Sequence, residues 1–163
     1  MSIGASLLPE FDQEMAVTRR VIERVPPDRG EWKPHPKSFS LGHLTQLVAT
    51  MPGWFVRMID NDSLDLAAGG GYGGHGTEGL LERFDALVPQ ARAALERVSD
   101  DDWAKPWSLK MGDRVLVTMP RGVVIRQTIN HLVHHRGQLT VYLRLNDVPV
   151  PSIYGPTADE GWG

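Results

Sequence analysis

The segment RGVVIRQTINHLVHHRGQLTVYLRLN, residues 121–146, has the periodicity of one long amphipathic helix. Pro120 is well placed to open that helix, and Asn146 and Asp147 are well placed to end it. Residues that can supply apolar contacts recur at steps of three and four, namely Val124, Ile125, Thr128, Ile129, Leu132, Leu139, Tyr142 and Leu143. The segment therefore predicts a helix with one face in the core.

Three earlier segments show the same helical periodicity: residues 6–25, 41–61 and 78–98. Ser6, Ser40 and Thr77 lie near the starts of these segments and are residue types that cap helices. Pro52 lies inside the second segment, where we expect a kink because proline has no backbone N–H. Helices of about twenty residues span roughly 30 Å. Four such helices predict an all-α four-helix bundle, in one domain over residues 1–163.

The connections between these helices differ in character. Residues 26–39 are rich in proline and charge and predict an irregular connection, and the glycine-rich residues 62–77 predict a long crossover loop. Residues 107–118 change to a period of two around a Gly-Asp pair, which predicts a small β-hairpin with a type II′ turn before the last helix. The final segment, VPVPSIYGPTADEGWG, is predicted to be extended against the bundle or a partner.

Composition excludes several classes of protein. The chain has 163 residues, a formal net charge of −3 and no cysteine, which excludes disulfides, thiolate metal sites and cysteine nucleophiles. The charge provides no basic field for nucleic acid or anionic lipid. No apolar run approaches the ~20 residues of a membrane span. The start, MSIGASLLPE, lacks the basic region of a secretory signal, so we expect a cytoplasmic location.

Two histidines in the last predicted helix form the most informative motif. His131 and His135 are four residues apart, so their side chains lie one turn apart on the same helix face. Imidazoles at this spacing can bind one metal ion, although partly buried histidines with hydrogen-bond partners would give the same pattern. Gln138 and Tyr142 fall near the same side of the helix, where we expect them to contact a substrate.

His43, at the start of the second predicted helix, is the candidate for a third metal ligand. It stands beside Leu44 and one turn before Leu47, so its side chain can face the interior. The alternative is an exposed histidine near a helix start. No pattern in the sequence identifies a catalytic acid, base or nucleophile, and catalytic residues are left unassigned.

Three stretches resemble the DinB-like family of metal-binding proteins, which is named for DNA-damage-inducible expression. They are KSFSLGHL at 37–44, MPGW at 51–54 and NHLVHHRGQL at 130–139. The resemblance implies a four-helix bundle, often a homodimer, in which three histidines hold a divalent metal. It assigns His131 and His135 to two of these ligand positions. The family's helix-2 histidine matches Leu47, so His43 would act about 5–6 Å earlier along the helix axis.

The family is similar to transferases and isomerases that use low-molecular-weight thiols. The resemblance and the histidines together predict a metal-dependent enzyme, in which zinc or nickel activates a cosubstrate thiol for transfer or water for hydrolysis. The thiol must arrive with a cosubstrate because the chain has no cysteine. Two alternatives remain open. One is a non-catalytic metal- or ligand-binding bundle of the stress response, and the other is a structural dimer whose histidines only pack.

Overall fold

The computed structural model describes residues 3–69 and 76–162, so most of the glycine-rich loop, with His75, lies outside the described residues. Within these ranges the fold is mostly helical, as predicted, with six α-helices and three strands. The elements are α1 (Ile3–Ile22), α2 (Leu41–Thr50), α3 (Pro52–Asp60), β1 (Ser63–Asp65), α4 (Leu80–Arg97), α5 (Asp100–Ala104), β2 (Pro106–Met111), β3 (Arg114–Pro120) and α6 (Arg121–Leu145), with a short 3-10 helix at Pro27–Arg29.

The count of six helices corrects the prediction of four. The predicted helix over residues 41–61 is divided at Met51 into α2 and α3, since Pro52 cannot donate a backbone hydrogen bond to the preceding turn. Pro52 becomes the first residue of α3, a position where its missing N–H costs nothing. The short helix α5 is the other addition, and Ser99 caps it by accepting a hydrogen bond from the Asp102 N–H.

Two of the three predicted helix caps were wrong. Ser6 lies inside α1, where its hydroxyl donates to the Ile3 carbonyl at 2.6 Å. The Ile3 N–H at the start of α1 donates instead to the Asp100 carboxylate of α5 at 2.7 Å. The helix α4 begins after Gly79, whose φ of +69° suits glycine, and Thr77 does not cap it. A partner distant in the sequence therefore replaces the predicted cap of α1, and a glycine turn replaces that of α4.

The apolar faces of the five longer helices meet in one core. The helix α1 packs on α4 and α6, and α4 also contacts α2 and α3. Phe11 of α1 and Phe55 of α3 are fully buried and meet edge to face, with ring centroids 5.4 Å apart. Leu132 of α6 is also fully buried. Because this side of α6 faces the core, the preceding His131 lies at the edge of the core.

The small sheet contains one strand that the sequence pattern did not predict. The predicted hairpin is confirmed as β2 and β3, joined by Gly112 and Asp113, and Gly112 has a φ of +58°. The strand β1 pairs in parallel with β2, with Ser63 opposite Ser108. It was assigned to the crossover loop because three residues are too short to show a period of two. The fold is therefore helical with a three-stranded sheet, and not purely α.

No helix in the described ranges is both long and apolar enough to cross a membrane.

Candidate metal centre

The two histidines of the predicted motif converge on one point beside α6. His131 and His135 lie in an unbroken helix that contains no proline between its first and last residues. Their Nε2 atoms are 2.8 Å apart, and their ring centroids are 4.6 Å apart. The structure therefore brings together the pair that the four-residue spacing predicted.

Gln138 fixes the orientation of one ring in this pair. The Nδ1 atom of His135 lies 2.8 Å from the Gln138 Oε1 atom, which can only accept a hydrogen bond. His135 therefore carries its proton on Nδ1, and its Nε2 lone pair points toward His131. This arrangement, with an outer partner that sets the tautomer, is the one found in metal-binding histidines. The predicted contact of Gln138 with a substrate stays a prediction.

The surroundings of His131 favour its neutral form. Partial burial lowers the pKa of the His131 ring below its usual range, and the nearby rings of His135 and His134 lower that pKa further. A neutral imidazole has the free lone pair that a metal ion requires. At 2.8 Å one hydrogen must lie between the two Nε2 atoms, so the His131 Nε2–H donates when the His135 Nε2 accepts, and this proton has to leave Nε2 before that atom can bind a metal.

Aromatic rings link His43 to the histidine pair. Ser40 caps α2 by accepting a hydrogen bond from the His43 N–H at 3.2 Å, which confirms the predicted cap and fixes the backbone of His43. The rings of Phe39 and His43 stack with their centroids 4.4 Å apart, and the centroid of Phe39 is 6.4 Å from that of His135. All three predicted ligands therefore have neighbours in the same aromatic cluster.

Trp54 and Tyr142 complete this cluster on two sides. The Trp54 ring centroid lies 5.8 Å from that of His131. The Tyr142 hydroxyl donates to the Phe39 carbonyl at 3.2 Å, and its ring meets Trp32 edge-on at 5.5 Å. Tyr142 thus ties the residues before α2 to α6. Its predicted contact with a substrate is not tested by these interactions.

The spacing of the two histidine nitrogens fits a metal ion, but in the described residues no third ligand lies beside them. Two imidazole nitrogens bound tetrahedrally to zinc at about 2.0–2.1 Å lie about 3.3 Å apart, so the observed pair needs to open only slightly. In the described parts of the chain, no three His, Asp or Glu side chains are grouped closely enough to hold a metal. Leu47, which the resemblance matches to a helix-2 ligand, is buried in the core with 5% exposure.

A buried arginine directly after the histidine pair was missed. Arg136 is 1% exposed, and its guanidinium donates to the Glu14 carboxylate at 2.6 Å and to the Thr18 hydroxyl at 3.1 Å. The sequence held a signal for this pair. Arg136 follows Leu132 by four residues and precedes Leu139 by three, which is a core position, and Glu14 follows Phe11 by three.

The C-terminal segment also joins this buried network. The Tyr154 hydroxyl accepts a hydrogen bond from Arg136 at 2.7 Å and donates to the Glu14 carboxylate at 2.8 Å. Burial and the bond to Glu14 raise the pKa of Tyr154, so it remains protonated as a donor. The segment thus folds against its own chain, and one end of the network lies beside the histidine pair.

Two acidic residues hold the rest of the C-terminal segment against α1 and α6. Glu160 pairs with Arg20 and Arg24 of α1 and accepts the Ser152 N–H at 2.9 Å. Asp159 pairs with Arg144 of α6. These contacts hold the pKa of both carboxyl groups below their usual values. The predicted extended segment is therefore a folded loop that bridges α1 and α6.

Comparisons with known proteins agree with this architecture. A 42-residue stretch is 48% identical to the uncharacterized protein YrdA of Bacillus subtilis strain 168, and it makes up 26% of this chain and only 25% of YrdA. A DinB-like protein of Bacillus cereus ATCC 10987 matches with a TM-score of 0.73 and 19% identity, over 94% of this chain and 98% of that one.

The DinB-like protein YjoA of Bacillus subtilis matches with a TM-score of 0.71 and 18% identity, over 91% of this chain and 96% of that one. At such identities the two solved structures show that the fold is shared. The sequence profile of the DinB family matches residues 1–162. Because that match spans nearly the whole sequence, this chain belongs to the DinB family.

Proposed function

We propose that this protein binds one divalent metal ion through His131 and His135, with His43 as the third ligand, for transfer of a thiol or another group. The observation that carries the proposal is the convergence of the two Nε2 atoms at 2.8 Å, with the His135 ring oriented by Gln138. Zinc and nickel are the metals that suit imidazole ligands best.

His43 would have to leave its stack on Phe39 to complete the site. A rotation about its side-chain torsions is the change this requires, since Ser40 holds the His43 backbone at the start of α2. The shared neighbour supports this assignment, because the ring of Phe39 contacts both His43 and His135.

The chain's own residues would position the reactants. His131 and His135 would present ring nitrogens to the metal, and the rings of Trp54 and Phe39 flank the pair. A bound zinc or nickel ion would supply Lewis acidity, which lowers the pKa of a thiol or water toward about 7. The thiol would belong to a low-molecular-weight cosubstrate, because the chain has no cysteine. Gln138 and Tyr142 are the proposed substrate contacts.

A second candidate function is binding of a metal or ligand without catalysis, in a stress response. One observation favours it: in the described ranges, no third His, Asp or Glu lies with the pair to form a ligand group. Such a protein would exchange neither water nor thiol at the metal. Absorption spectra of the cobalt-loaded protein separate the two functions, since an added thiol shifts the spectrum only if it reaches the metal.

Metal content of tag-free protein, measured by mass spectrometry, tests the proposal. We expect about one metal per chain in the wild type and loss of that metal in His131→Ala/His135→Ala and in His43→Ala. His35→Ala is the matched control, because His35 lies in the exposed connection before α2. Metal retained in the double variant would contradict the site. Metal retained only in His43→Ala would exclude His43 as the third ligand.

The homodimer that the resemblance implies is also a proposal. Light scattering on the same samples would give its mass and show whether removal of the metal changes it.

A further inference from the structure

The arginines of this chain are unevenly paired. Ten of the thirteen arginines form an ion pair with an acidic side chain. Within the described parts of the chain, Arg57, Arg83 and Arg114 form none. Arg57 belongs to α3, Arg83 to α4 and Arg114 to β3. In a protein that otherwise pairs its guanidinium groups, these three positions are exceptions.

Two of the three unpaired arginines line the same cavity. It lies between α3, α4 and the β1 region, has a volume of about 510 Å³, and includes both Arg57 and Arg83 in its lining. Cavities that bind small ligands have volumes of about 300–1,000 Å³. Gln90 and Thr50 add polar groups to the wall. The cavity is thus large enough for a small organic molecule and carries two forked cationic donors.

The acidic residue in this cavity does not neutralise its arginines. Asp65 also lines the cavity, but its Oδ1 atom accepts the N–H groups of Ala67 and Gly112, each at 2.8 Å. Those hydrogen bonds hold the pKa of Asp65 below its usual value. Neither guanidinium lies within ion-pair distance of this carboxylate in the described structure, so the two positive charges exceed the single negative one.

The cavity adjoins the histidine pair. Trp54 and Gln46 form part of its wall, and the Trp54 ring centroid is 5.8 Å from that of His131. One indole therefore separates the arginine-lined cavity from the proposed metal ligands. A molecule longer than a single anionic group could have one end at the arginines and its other end beside His131.

We propose that this cavity binds a small organic anion, whose carboxylate or phosphate is held by Arg57 and Arg83. The guanidinium fork matches both groups, because it offers parallel N–H donors to two oxygens. The bound anion would be the substrate or cosubstrate that reacts at the histidine site. That last identification rests on the proposed function, whereas binding of the anion does not.

Titration of metal-free protein with glutarate and, separately, with inorganic phosphate tests the proposal. Calorimetry measures affinity, and the indole N–H signal of Trp54, identified with Trp54→Phe, reports the place of binding. We expect saturable binding that weakens at least about tenfold in Arg57→Gln/Arg83→Gln. Arg114→Gln is the matched control, since Arg114 is unpaired but does not line the cavity. The preferred probe distinguishes a carboxylate ligand from a phosphate ligand.

The variants also separate this inference from the metal proposal. Anion binding that persists in His131→Ala/His135→Ala would show that the cavity binds the anion without the histidines. Anion binding by a wild-type protein that takes up no metal would support the cavity while refuting the metal site. Arg57→Lys/Arg83→Lys should bind more tightly than the glutamine variant and less tightly than wild type, because lysine keeps charge without the fork. Equal weakening by Arg114→Gln, or no saturable binding of either probe at about 10 mM, would overturn the inference.

Discussion

Two neighbouring polar residues on opposite sides of α6 differ in their hydrogen-bond partners. Arg136 faces the core and has its guanidinium bonded to Glu14, Thr18 and Tyr154. His135, the preceding residue, lies at the edge of the core, and its two ring nitrogens contact the Gln138 side chain and the His131 imidazole. The fold itself therefore supplies hydrogen-bond partners for the arginine, whereas the histidine pair retains the capacity to bind a ligand.

Removing the positive charge of Arg136, on the core side of α6, should have the largest effect on stability. Arg136→Met would leave the Glu14 carboxylate buried without its cation, so we expect a loss of about 3–5 kcal/mol in the free energy of unfolding. Urea denaturation measures this change in the free energy of unfolding. Arg126→Met is the control on the same helix, because its pair with Glu10 is exposed and should be worth about 0–1 kcal/mol.

A second variant distinguishes charge from packing in this network. Adding Glu14→Leu to Arg136→Met removes both charges, and we expect it to recover much of the lost stability. Equal stability of the Arg136→Met and Arg126→Met proteins would show that the buried ion pair stabilises the fold no more than the exposed one. The proposed difference between the two sides of α6 would then be wrong.

On the histidine side, the expected effect is on metal affinity and not on folding. Gln138→Ala should weaken zinc binding about 10–100-fold, because the His135 ring loses the partner that sets its orientation and tautomer. Competition with a chelating dye measures the affinity. Gln138→Glu should restore binding relative to Gln138→Ala, since its carboxylate also accepts a hydrogen bond from the His135 Nδ1–H.

Gln127→Ala is the matched control for this experiment, because Gln127 is an exposed residue of the same helix. Equal zinc affinity for Gln138→Ala and Gln127→Ala would remove Gln138 from the account of the site.

The smallest expected effect is on the loss of stability in acid, to which the folded C-terminal segment contributes. The pKa of Asp159 is lowered chiefly by Arg144, and that of Glu160 chiefly by the Ser152 N–H, from ordinary values of 3.8 and 4.5. Because their folded pKa values are depressed, the stability they contribute is complete at neutral pH and is lost as pH falls through those values.

We therefore expect Asp159→Asn/Glu160→Gln to lose less stability than wild type on going from about pH 7 to about pH 3. Thermal unfolding at both pH values provides the comparison. A larger acid-induced loss in the double variant would show that these carboxylates are not stabilised in the folded state.

Local patterns predicted the features of this molecule that depend on nearby residues. The length of α6, the Ser40 cap and the Gly112 turn were all found as expected, because each depends on residues within a few positions. The four-residue spacing likewise predicted that His131 and His135 would meet. In these cases the helix or turn geometry alone determines which groups are adjacent.

The features that were missed depend on partners far apart in the sequence. The strand β1 exists because it pairs with β2, more than forty residues later. Arg136 and Glu14 lie on two separate helix stripes, and only the packing of α1 on α6 shows that the charges meet. The cap of Ile3 by Asp100 is of the same kind. Spacing within one element cannot specify such contacts.

X-ray absorption at the metal edge of zinc-loaded protein shows directly which side chains bind the ion. We expect imidazole nitrogens at about 2.0–2.1 Å from zinc, with outer-ring scattering from three imidazoles in wild type and no such scattering in His43→Ala, which should not retain the metal. The His131→Ala/His135→Ala protein, loaded in the same way, should lose this scattering. An unchanged spectrum in that double variant, or an oxygen-only shell in wild type, would contradict binding of the metal by the histidine pair.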